Sequence, residues 1–292
     1  MPARTHADRC PGVLRPWIAD DGALVRLRLI GGRLPATSLR ALVDVAARHA
    51  DGTIHLTKRT NLQLRGIAHA DGCVPAELVT ALTDAGLLPS PSHELVRNVM
   101  VSPLSGRLGG RADLRPVAES LDLLLCADPS FAALAGRFLF VLDDGRGDVA
   151  GRSLDLGLVA LDASSAQLRV GSQGWGPVVP LADAPSALLD LARRFLAVHG
   201  RGETALWHVD ELSEATATLL DAPRDRDPRT LVSSDPPPFG ILAQDDGRTA
   251  EHVPVPDGVL TPELAATLLD RAGHEFVVTP WRSLLLPDLE TA

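Results

Sequence analysis

Several residue types that mark particular protein classes are scarce or missing in this sequence. Tyrosine is absent, aromatic residues make up 3% of the chain, and there are three cysteines, Cys10, Cys73 and Cys126. The cysteines are far apart and include no C-x-x-C pair, so they predict neither the disulfide framework of a small secreted protein nor a metal site of that spacing. No apolar run is long enough to cross a membrane, and residues 1–9 are polar. We therefore expect a cytoplasmic protein without a membrane partner.

The charge balance excludes a strongly basic surface. Lysine and arginine total 28 against 37 aspartate and glutamate residues, which gives a formal net charge of −9. A protein that coats nucleic acid needs the opposite excess, so no nucleic-acid partner is expected. The length of 292 residues, 45% of them hydrophobic, suits a globular chain of about two domains.

Residue periodicity predicts an opening β-α-β-β-α segment and, after a linker, its partial return. The middle of the chain predicts a loop, helices and strands, and the charged, proline-rich residues 221–238 predict the linker. The predicted elements are strand 24–30, helix 37–49, strands 53–57 and 61–67, helix 74–85, loop 93–105, helix 112–127, strands 138–143, 154–160 and 166–170, helices 183–198 and 203–220, a strand ending near 255, helix 262–271, and strands 275–279 and 283–286.

The parts of the chain before and after the linker match in order and in turn residues. We interpret this match as an internal repeat; the alternative is that leucine-rich segments look alike by chance. The matched positions are Gly31-Gly32-Arg33-Leu34 with Asp257-Gly258-Val259-Leu260, and Thr57, Leu62 and Leu64 with Thr279, Leu284 and Leu286.

Residues 57–66 are the most unusual segment, with three cationic side chains and several amide and hydroxyl groups. Strand alternation places Asn61, Gln63 and Arg65 on the face opposite Leu62 and Leu64. This face is either a solvated sheet surface or a pocket for a polyanionic ligand, because guanidinium groups match carboxylates and phosphates. Arginines at 97, 107, 111 and 115 flank a glycine pair, and they are either solvated or a second anion-contacting loop.

These segments resemble the nitrite and sulfite reductase superfamily, and most closely its precorrin-3B synthases. The resemblance extends over nearly the whole chain and implies an α+β fold: two ferredoxin-like half-domains (β-α-β-β-α) flank a partial nitrite/sulfite-reductase-type α/β core. The implied domains are a first half-domain at 1–92, the core at 93–220, the linker at 221–238 and a second half-domain at 239–292. The segments that carry the resemblance are Cys10-Pro11-Gly12, Leu56-Thr57, Asn61-Leu62-Gln63-Leu64-Arg65-Gly66, Val96-Arg97-Asn98-Val99, Ser102-Pro103-Leu104-Ser105-Gly106, Gly136-Arg137-Phe138, Asp143-Asp144-Gly145 and Thr279-Pro280-Trp281-Arg282.

The resemblance implies an oxidoreductase that binds sirohaem or a precorrin-type tetrapyrrole. Its reaction would be the hydroxylation and lactonisation of precorrin-3A with dioxygen and a reductant, in cobalamin biosynthesis. The alternatives are a sirohaem-dependent nitrite or sulfite reductase, and a catalytically inactive tetrapyrrole-binding relative. No catalytic residue is assigned. The implied cofactor-binding residues are Arg59, Asn61, Gln63, Arg65, Arg97, Asn98 and Arg137.

Two departures from the family pattern bear on these expectations. Sulfite reductases carry two lysines where this chain has Arg137 and Leu139, so one cation remains at these positions. This favours a macrocycle with its own carboxylates as the substrate over an inorganic oxyanion. The family holds a [4Fe–4S] cluster with C-x5-C and C-x3-C motifs, and neither spacing occurs here, so no metal ligand is assigned. We therefore expect a truncated, degenerate or split enzyme that self-associates or binds a partner chain to cover an incomplete core.

Overall fold

A computed structural model of the chain describes residues 8–222, 224–233 and 235–290. The ends of both predicted half-domains, at 1–7 and 291–292, and two linker positions, 223 and 234, lie outside the described residues. The described strands form three five-stranded sheets. The strands are β1 Trp17–Ala19, β2 Gly22–Leu27, β3 Arg33–Pro35, β4 Ile54–Leu56, β5 Leu62–Ile67, β6 Val99–Val101, β7 Phe140–Asp143, β8 Leu156–Ala160, β9 Ser165–Val170, β10 Gly174–Pro180, β11 Gly240–Ala243, β12 Thr249–Pro254, β13 Val259–Leu260, β14 Glu275–Val278 and β15 Ser283–Leu289. The helices are α1 Ala36–His49, α2 Ala76–Asp84, α3 Arg115–Ala127, α4 Ala184–Val198, α5 Ala215–Leu219 and α6 Pro262–Leu269.

Two compact units divide the chain. The repeat unit comprises Cys10–Glu94 with Pro237–Ala292, and the parallel-sheet unit comprises Met1–Arg9 with Leu95–Pro236, in each case over their described residues. Sequence predicted the two half-domains as separate segments. The structure places residues 10–92 of the first and 239–290 of the second in the repeat unit, and residues 95–220 of the predicted core with most of the described linker in the other unit.

Each sheet of the repeat unit contains one strand from the other half of the repeat. The strand orders are β1-β2-β5-β4-β13 and β11-β12-β15-β14-β3, and every pair is antiparallel. Val259 of β13 pairs with His55 of β4, while Leu34 of β3 pairs with Phe276 of β14. The halves are therefore interlocked, because neither sheet is complete without a strand from the other half.

Equivalent tight turns confirm the internal repeat. Residues 57–61 lead into β5 and residues 279–283 lead into β15. In each turn the N–H of the first residue donates to the carbonyl of the fifth at 2.9 Å. Thr60 and Arg282, at the fourth positions, have left-handed φ values of 57° and 59°. Two five-residue sequences that differ at four positions thus adopt one turn geometry, as a duplicated segment would.

Amphipathic helices form the core of the repeat unit together with one face of each sheet. Leu39 and Leu42 of α1 and Leu78 and Leu82 of α2 are buried at helical spacing. They pack in the same cluster as Leu62, Leu64, Leu284 and Leu286 from the paired strands. Because side chains alternate along a strand, burial of Leu62 and Leu64 directs Gln63 away from this core.

The parallel-sheet unit has the strand order β10-β9-β8-β7-β6, in which β6, β7 and β8 run parallel and β9 and β10 are antiparallel. Helices α3 and α4 pack against each other and against this sheet. Phe138 lies 5.3 Å from both Phe140 and Phe195, centroid to centroid, in its core. Continuous burial of β7 and β8 is typical of parallel strands that are covered on both faces.

Several predictions from local pattern need correction. The predicted loop 93–105 contains β6, and the predicted helix 203–220 contains only short 3-10 turns and α5. The strands β1, β3, β10, β11 and β13 were not predicted. Residues 226–230 of the predicted linker are packed, with Thr230 fully buried and its hydroxyl and carbonyl bound by Arg226. In the part of the chain that the structure describes, no helix has the length and apolar character needed to cross a membrane.

Candidate functional site

A row of polar side chains lies on one face of the sheet β1-β2-β5-β4-β13, on the side opposite the hydrophobic core. Arg26 of β2 lies opposite Gln63 of β5, which in turn lies opposite His55 of β4. All three residues are half-buried, whereas Leu62 and Leu64 beside them on the other face are buried. Neighbouring strands are about 4.8 Å apart, so this polar row spans about 10 Å across the sheet.

Hydrogen bonds hold the polar row in place. With the Gln63 amide turned so that its oxygen faces Arg26, that oxygen accepts from Arg26 Nε and Nη2 at 3.2 and 2.8 Å. His55 Nε2 lies 3.1 Å from Thr53 Oγ1 and 3.5 Å from Asp51 Oδ2. The row is therefore preorganised, and it combines a guanidinium, an amide and an imidazole on one surface.

Arg65 and Arg59 extend this polar surface in the repeat unit. Arg65 follows Gln63 along β5; its side chain is 41% exposed and its Nε lies 3.5 Å from Asp21 Oδ2. Arg59 is half-buried within the 57–61 turn, where its N–H donates to Thr57 Oγ1 at 3.3 Å. Both arginines thus lie on the segment where sequence placed them.

Asn61 differs from its predicted place on the polar face. It is only 1% exposed, and its Oδ1 accepts a hydrogen bond from Leu29 N at 3.1 Å. Its own N–H donates to Thr57 Oγ1 at 3.1 Å. Asn61 therefore anchors the turn to the end of β2, and its side chain has a structural contact that strand alternation does not show.

Arg97, in the parallel-sheet unit, forms a two-pronged ion pair with Asp122 of α3. Its Nε and Nη2 donate to the two carboxylate oxygens, both at 2.7 Å, and the Arg97 side chain is 9% exposed. Burial opposes the positive charge, but the Asp122 carboxylate more than offsets it, so the pKa of Arg97 is raised. The planar fork of Arg97 is thus bound within the unit, which sequence alone did not indicate.

Asn98 holds the segment that carries Arg137. Its Nδ2 donates to Leu95 O and Gly136 O, both at 3.0 Å, and Asn98 is 2% exposed. Gly136 immediately precedes Arg137, which is exposed. The structure thus brings the 97–98 segment and the 136–137 segment together. Arg97 and Asn98 make contacts within the unit, whereas Arg137 is exposed.

The other predicted arginine group does not form an open anion-contacting loop. Arg115 pairs with Asp113 at 2.8 Å, and Arg107 is 5% exposed. Arg111 Nη1 donates to the carbonyls of Ala160 and Arg229. Arg111 and Arg115 therefore bind carbonyl and carboxylate groups of the parallel-sheet unit and stabilise its loops.

Of the predicted site residues, the repeat unit holds Arg59, Asn61, Gln63 and Arg65, and the parallel-sheet unit holds Arg97, Asn98 and Arg137. Sequence reasoning missed Arg26 and His55, the neighbours of Gln63 in the sheet. A signal for Arg26 was present, since basic and apolar residues alternate along β2. The pairing of β2 and β4 with β5, which joins these residues, is not visible in any local pattern.

The described residues do not fit an iron–sulfur cluster. Cys10, Cys73 and Cys126 form no disulfide bond. Within the described ranges there is no group of three or more histidine, cysteine, aspartate or glutamate residues that could hold a metal ion. A [4Fe–4S] cluster needs four ligands, so no step of the proposed function is assigned to one.

Comparison with known proteins gives first the class of fold. Residues 19–71 match the family model of the nitrite/sulfite reductase ferredoxin-like half domain. The solved structure of the NirA protein of Mycobacterium tuberculosis superposes with a TM-score of 0.67 at 20% identity, covering 99% of this chain and 58% of that chain. The α+β fold with ferredoxin-like half-domains that the sequence implied is confirmed.

Two curated relatives are more specific. A precorrin-3B synthase from Sinorhizobium sp is 34% identical over 137 residues, which are 47% of this chain and 28% of that protein. A ferredoxin–nitrite reductase from Leptolyngbya laminosa is 31% identical over 142 residues, 46% of this chain and 27% of that protein. The resemblance to nitrite/sulfite reductases and precorrin-3B synthases is thus confirmed, and the match spans less than a third of each relative.

Proposed function

We propose that the chain binds an anionic tetrapyrrole on the polar surface of its repeat unit and acts as an oxidoreductase of the precorrin-3B synthase type. The observation that carries the proposal is the register of the polar row, which sets Arg26, Gln63 and His55 side by side, with Arg59 and Arg65 on the same segment as Gln63. The similarity to a precorrin-3B synthase supports the choice of reaction.

The residues present fit the carboxylate groups of such a ligand. Guanidinium groups bind carboxylates through two parallel N–H bonds, and half-buried positions strengthen these bonds relative to water. In the proposed complex Arg59 and Arg26 bind ligand carboxylates. Arg26 does so with N–H groups other than those that the Gln63 oxygen accepts, and that contact keeps its guanidinium in place. The bound tetrapyrrole and the redox partners of such an enzyme supply the electron-transfer chemistry. The chain supplies binding and orientation.

A sirohaem-dependent nitrite or sulfite reductase is the second candidate, supported by the similarity to a ferredoxin–nitrite reductase. A tetrapyrrole-binding protein without catalysis is the third, supported by the misfit of the described residues to an iron–sulfur cluster. All three candidates share tetrapyrrole binding. Turnover of precorrin-3A with dioxygen, or of nitrite or sulfite with a reductant, would separate them once binding is established.

Sirohaem titration of the full chain tests the shared step. Removing one partner of a charge-assisted hydrogen bond costs about 1.5–3 kcal/mol, so Arg26→Ala and Arg59→Ala should each weaken binding roughly 10- to 150-fold. Arg59→Lys should recover only part of the affinity because the planar fork is lost.

Arg48→Ala is the matched control. Arg48 is exposed on α1 and its Nε donates to Asp44 O, so its removal should change affinity by less than about fivefold. If both Arg26→Ala and Arg59→Ala bind sirohaem like the unmodified chain, the polar row is only a solvated sheet face and the proposal is wrong.

A further inference from the structure

A buried aspartate holds a histidine in the parallel-sheet unit. Asp155 directly precedes β8 and is 0% exposed. Its carboxylate oxygens lie 3.1 and 3.2 Å from Nδ1 of His208, and the His208 side chain is 23% exposed. The carboxylate also accepts from Leu139 N and Val209 N, each at 2.8 Å. The Asp155 side chain is therefore held by two backbone N–H groups with its oxygens facing the imidazole.

This geometry selects one tautomer of the imidazole. Because Nδ1 faces a carboxylate, it carries the proton and donates it to Asp155. Nε2 is then left with a lone pair, and it makes no hydrogen bond to any residue in the described ranges. Nδ1 alone holds the ring, so Nε2 is the nitrogen that can accept from a ligand.

The dyad is also fixed to the segment that carries Arg137. Besides binding Leu139 N through its carboxylate, Asp155 donates its own backbone N–H to Leu139 O at 3.0 Å. Asn98 binds Gly136 O on the other side of Arg137. Arg137 thus lies between Gly136, which Asn98 binds, and Leu139, which Asp155 binds. Asp155 is also the residue that orients His208.

We propose that His208 is a proton-accepting residue of the parallel-sheet unit and that Asp155 is its positioning residue. The ligand it suits is a hydroxyl group, a protonated carboxyl group or a polarised water molecule. In the proton transfer, the ligand O–H bond breaks, its proton bonds to Nε2 and the electron pair stays on oxygen. The Asp155 carboxylate then stabilises the imidazolium, the arrangement by which buried carboxylates support histidine bases elsewhere.

The first test is nitrogen NMR of the full chain with labelled histidine. In the unmodified protein, we expect the Nδ1–H tautomer for neutral His208. In Asp155→Asn, the amide NH2 can donate to Nδ1, so the proton should move to Nε2. This exchange would show that Asp155 sets the tautomer and so leaves Nε2 as the accepting nitrogen. An Nε2–H tautomer in the unmodified protein would overturn the proposal.

The second test keeps the proposal falsifiable if Asp155→Asn does not fold. Diethyl pyrocarbonate attacks an unprotonated, accessible imidazole nitrogen, and mass spectrometry reports the site. His252 is the negative control, because it is 2% exposed and both its nitrogens face oxygen atoms, of Pro237 and Pro238 at Nδ1 and of Ser283 at Nε2.

Freeing a hydrogen-bonded nitrogen costs about 0.5–1.5 kcal/mol, so His208 should react about 2- to 13-fold faster than His252 at the same pH. His199 is the matched comparison, because its Nδ1 is held by a carbonyl, Leu196 O at 2.7 Å, in place of a carboxylate. A His208 reaction at least as fast as that of His199 would support an accessible, accepting Nε2 on His208. If His208 reacts as slowly as His252, Nε2 is not an available acceptor and the proposal is wrong.

Discussion

Asp148 is a buried carboxyl group whose ionisation should reduce stability at neutral pH. It is 2% exposed, its Oδ1 accepts from Ser102 Oγ at 2.7 Å, and its Oδ2 has no hydrogen-bond partner. Arg146 Nε lies 3.8 Å from that oxygen. Burial raises the pKa of Asp148 to about 7; Asp143 and Asp144 act in the same direction, whereas Arg146 and Ser102 oppose it.

The sign of the resulting pH dependence follows from the two states. An aspartate in the unfolded chain ionises near pH 3.9, so between about pH 4 and 7 the folded state binds one more proton than the unfolded state. The stabilisation that protonated Asp148 contributes to the folded state is therefore fully present below about pH 4, and it is lost as the pH rises through the folded pKa near 7. At about 1.4 kcal/mol per pKa unit, the free energy of unfolding should fall by about 2–3 kcal/mol between pH 5 and 8 because of this one group.

The substitution Asp148→Asn removes the titration and keeps an oxygen to accept from Ser102. Hydrogen exchange of peptides from β7 and β8, measured in increasing urea, reports the stability of the parallel-sheet unit at each pH. Between pH 5 and 8, the free energy of unfolding of Asp148→Asn should rise by about 2–3 kcal/mol relative to that of the unmodified chain. Asp162→Asn is the control, because Ser165 and Ser164 hydrogen bonds lower the pKa of Asp162 and it does not titrate in this range. Equal slopes for Asp148→Asn and the unmodified chain would refute the reasoning.

Two further changes test the ion pair and the repeat. Arg97→Ala leaves the partly buried Asp122 carboxylate unpaired and should lower the free energy of unfolding by about 2–3 kcal/mol in urea. The double variant with Asp122→Ala should lose less than the sum of the single losses, and additive losses would contradict the pairing. Gly32→Ala places a Cβ 2.2 Å from Val278 O and should destabilise the repeat unit more than Gly52→Ala, whose Cβ meets no atom within 4 Å. Both glycines have left-handed φ, worth about 1 kcal/mol in each variant, so equal melting temperatures for the two would argue against the close approach at Gly32.

Much of the repeat unit could be predicted because its signals are local. Helices α1 and α2 are amphipathic over their whole length, and the predicted bounds differ from the observed ones by one or two residues at most. The match of Thr57, Leu62 and Leu64 with Thr279, Leu284 and Leu286 was also visible in the sequence, whereas the shared turn geometry at 57–61 and 279–283 came from the structure. The polar face of β5 followed from its strict alternation of Leu62 and Leu64 with Gln63 and Arg65.

The contacts that distinguish a ligand-facing side chain from a structural one lie between segments distant in sequence. Arg97 and Gln63 have the same polar appearance in the sequence, yet one is bound by Asp122, 25 residues away, and the other joins a row across β2 and β4. The same holds for His208 and Asp155, 53 residues apart. Residue type and periodicity follow from the chain alone, because they depend on bonded neighbours. Pairing partners, strand exchange and the burial of a charge arise only when the chain closes on itself, since they are set by tertiary contacts that carry no local pattern.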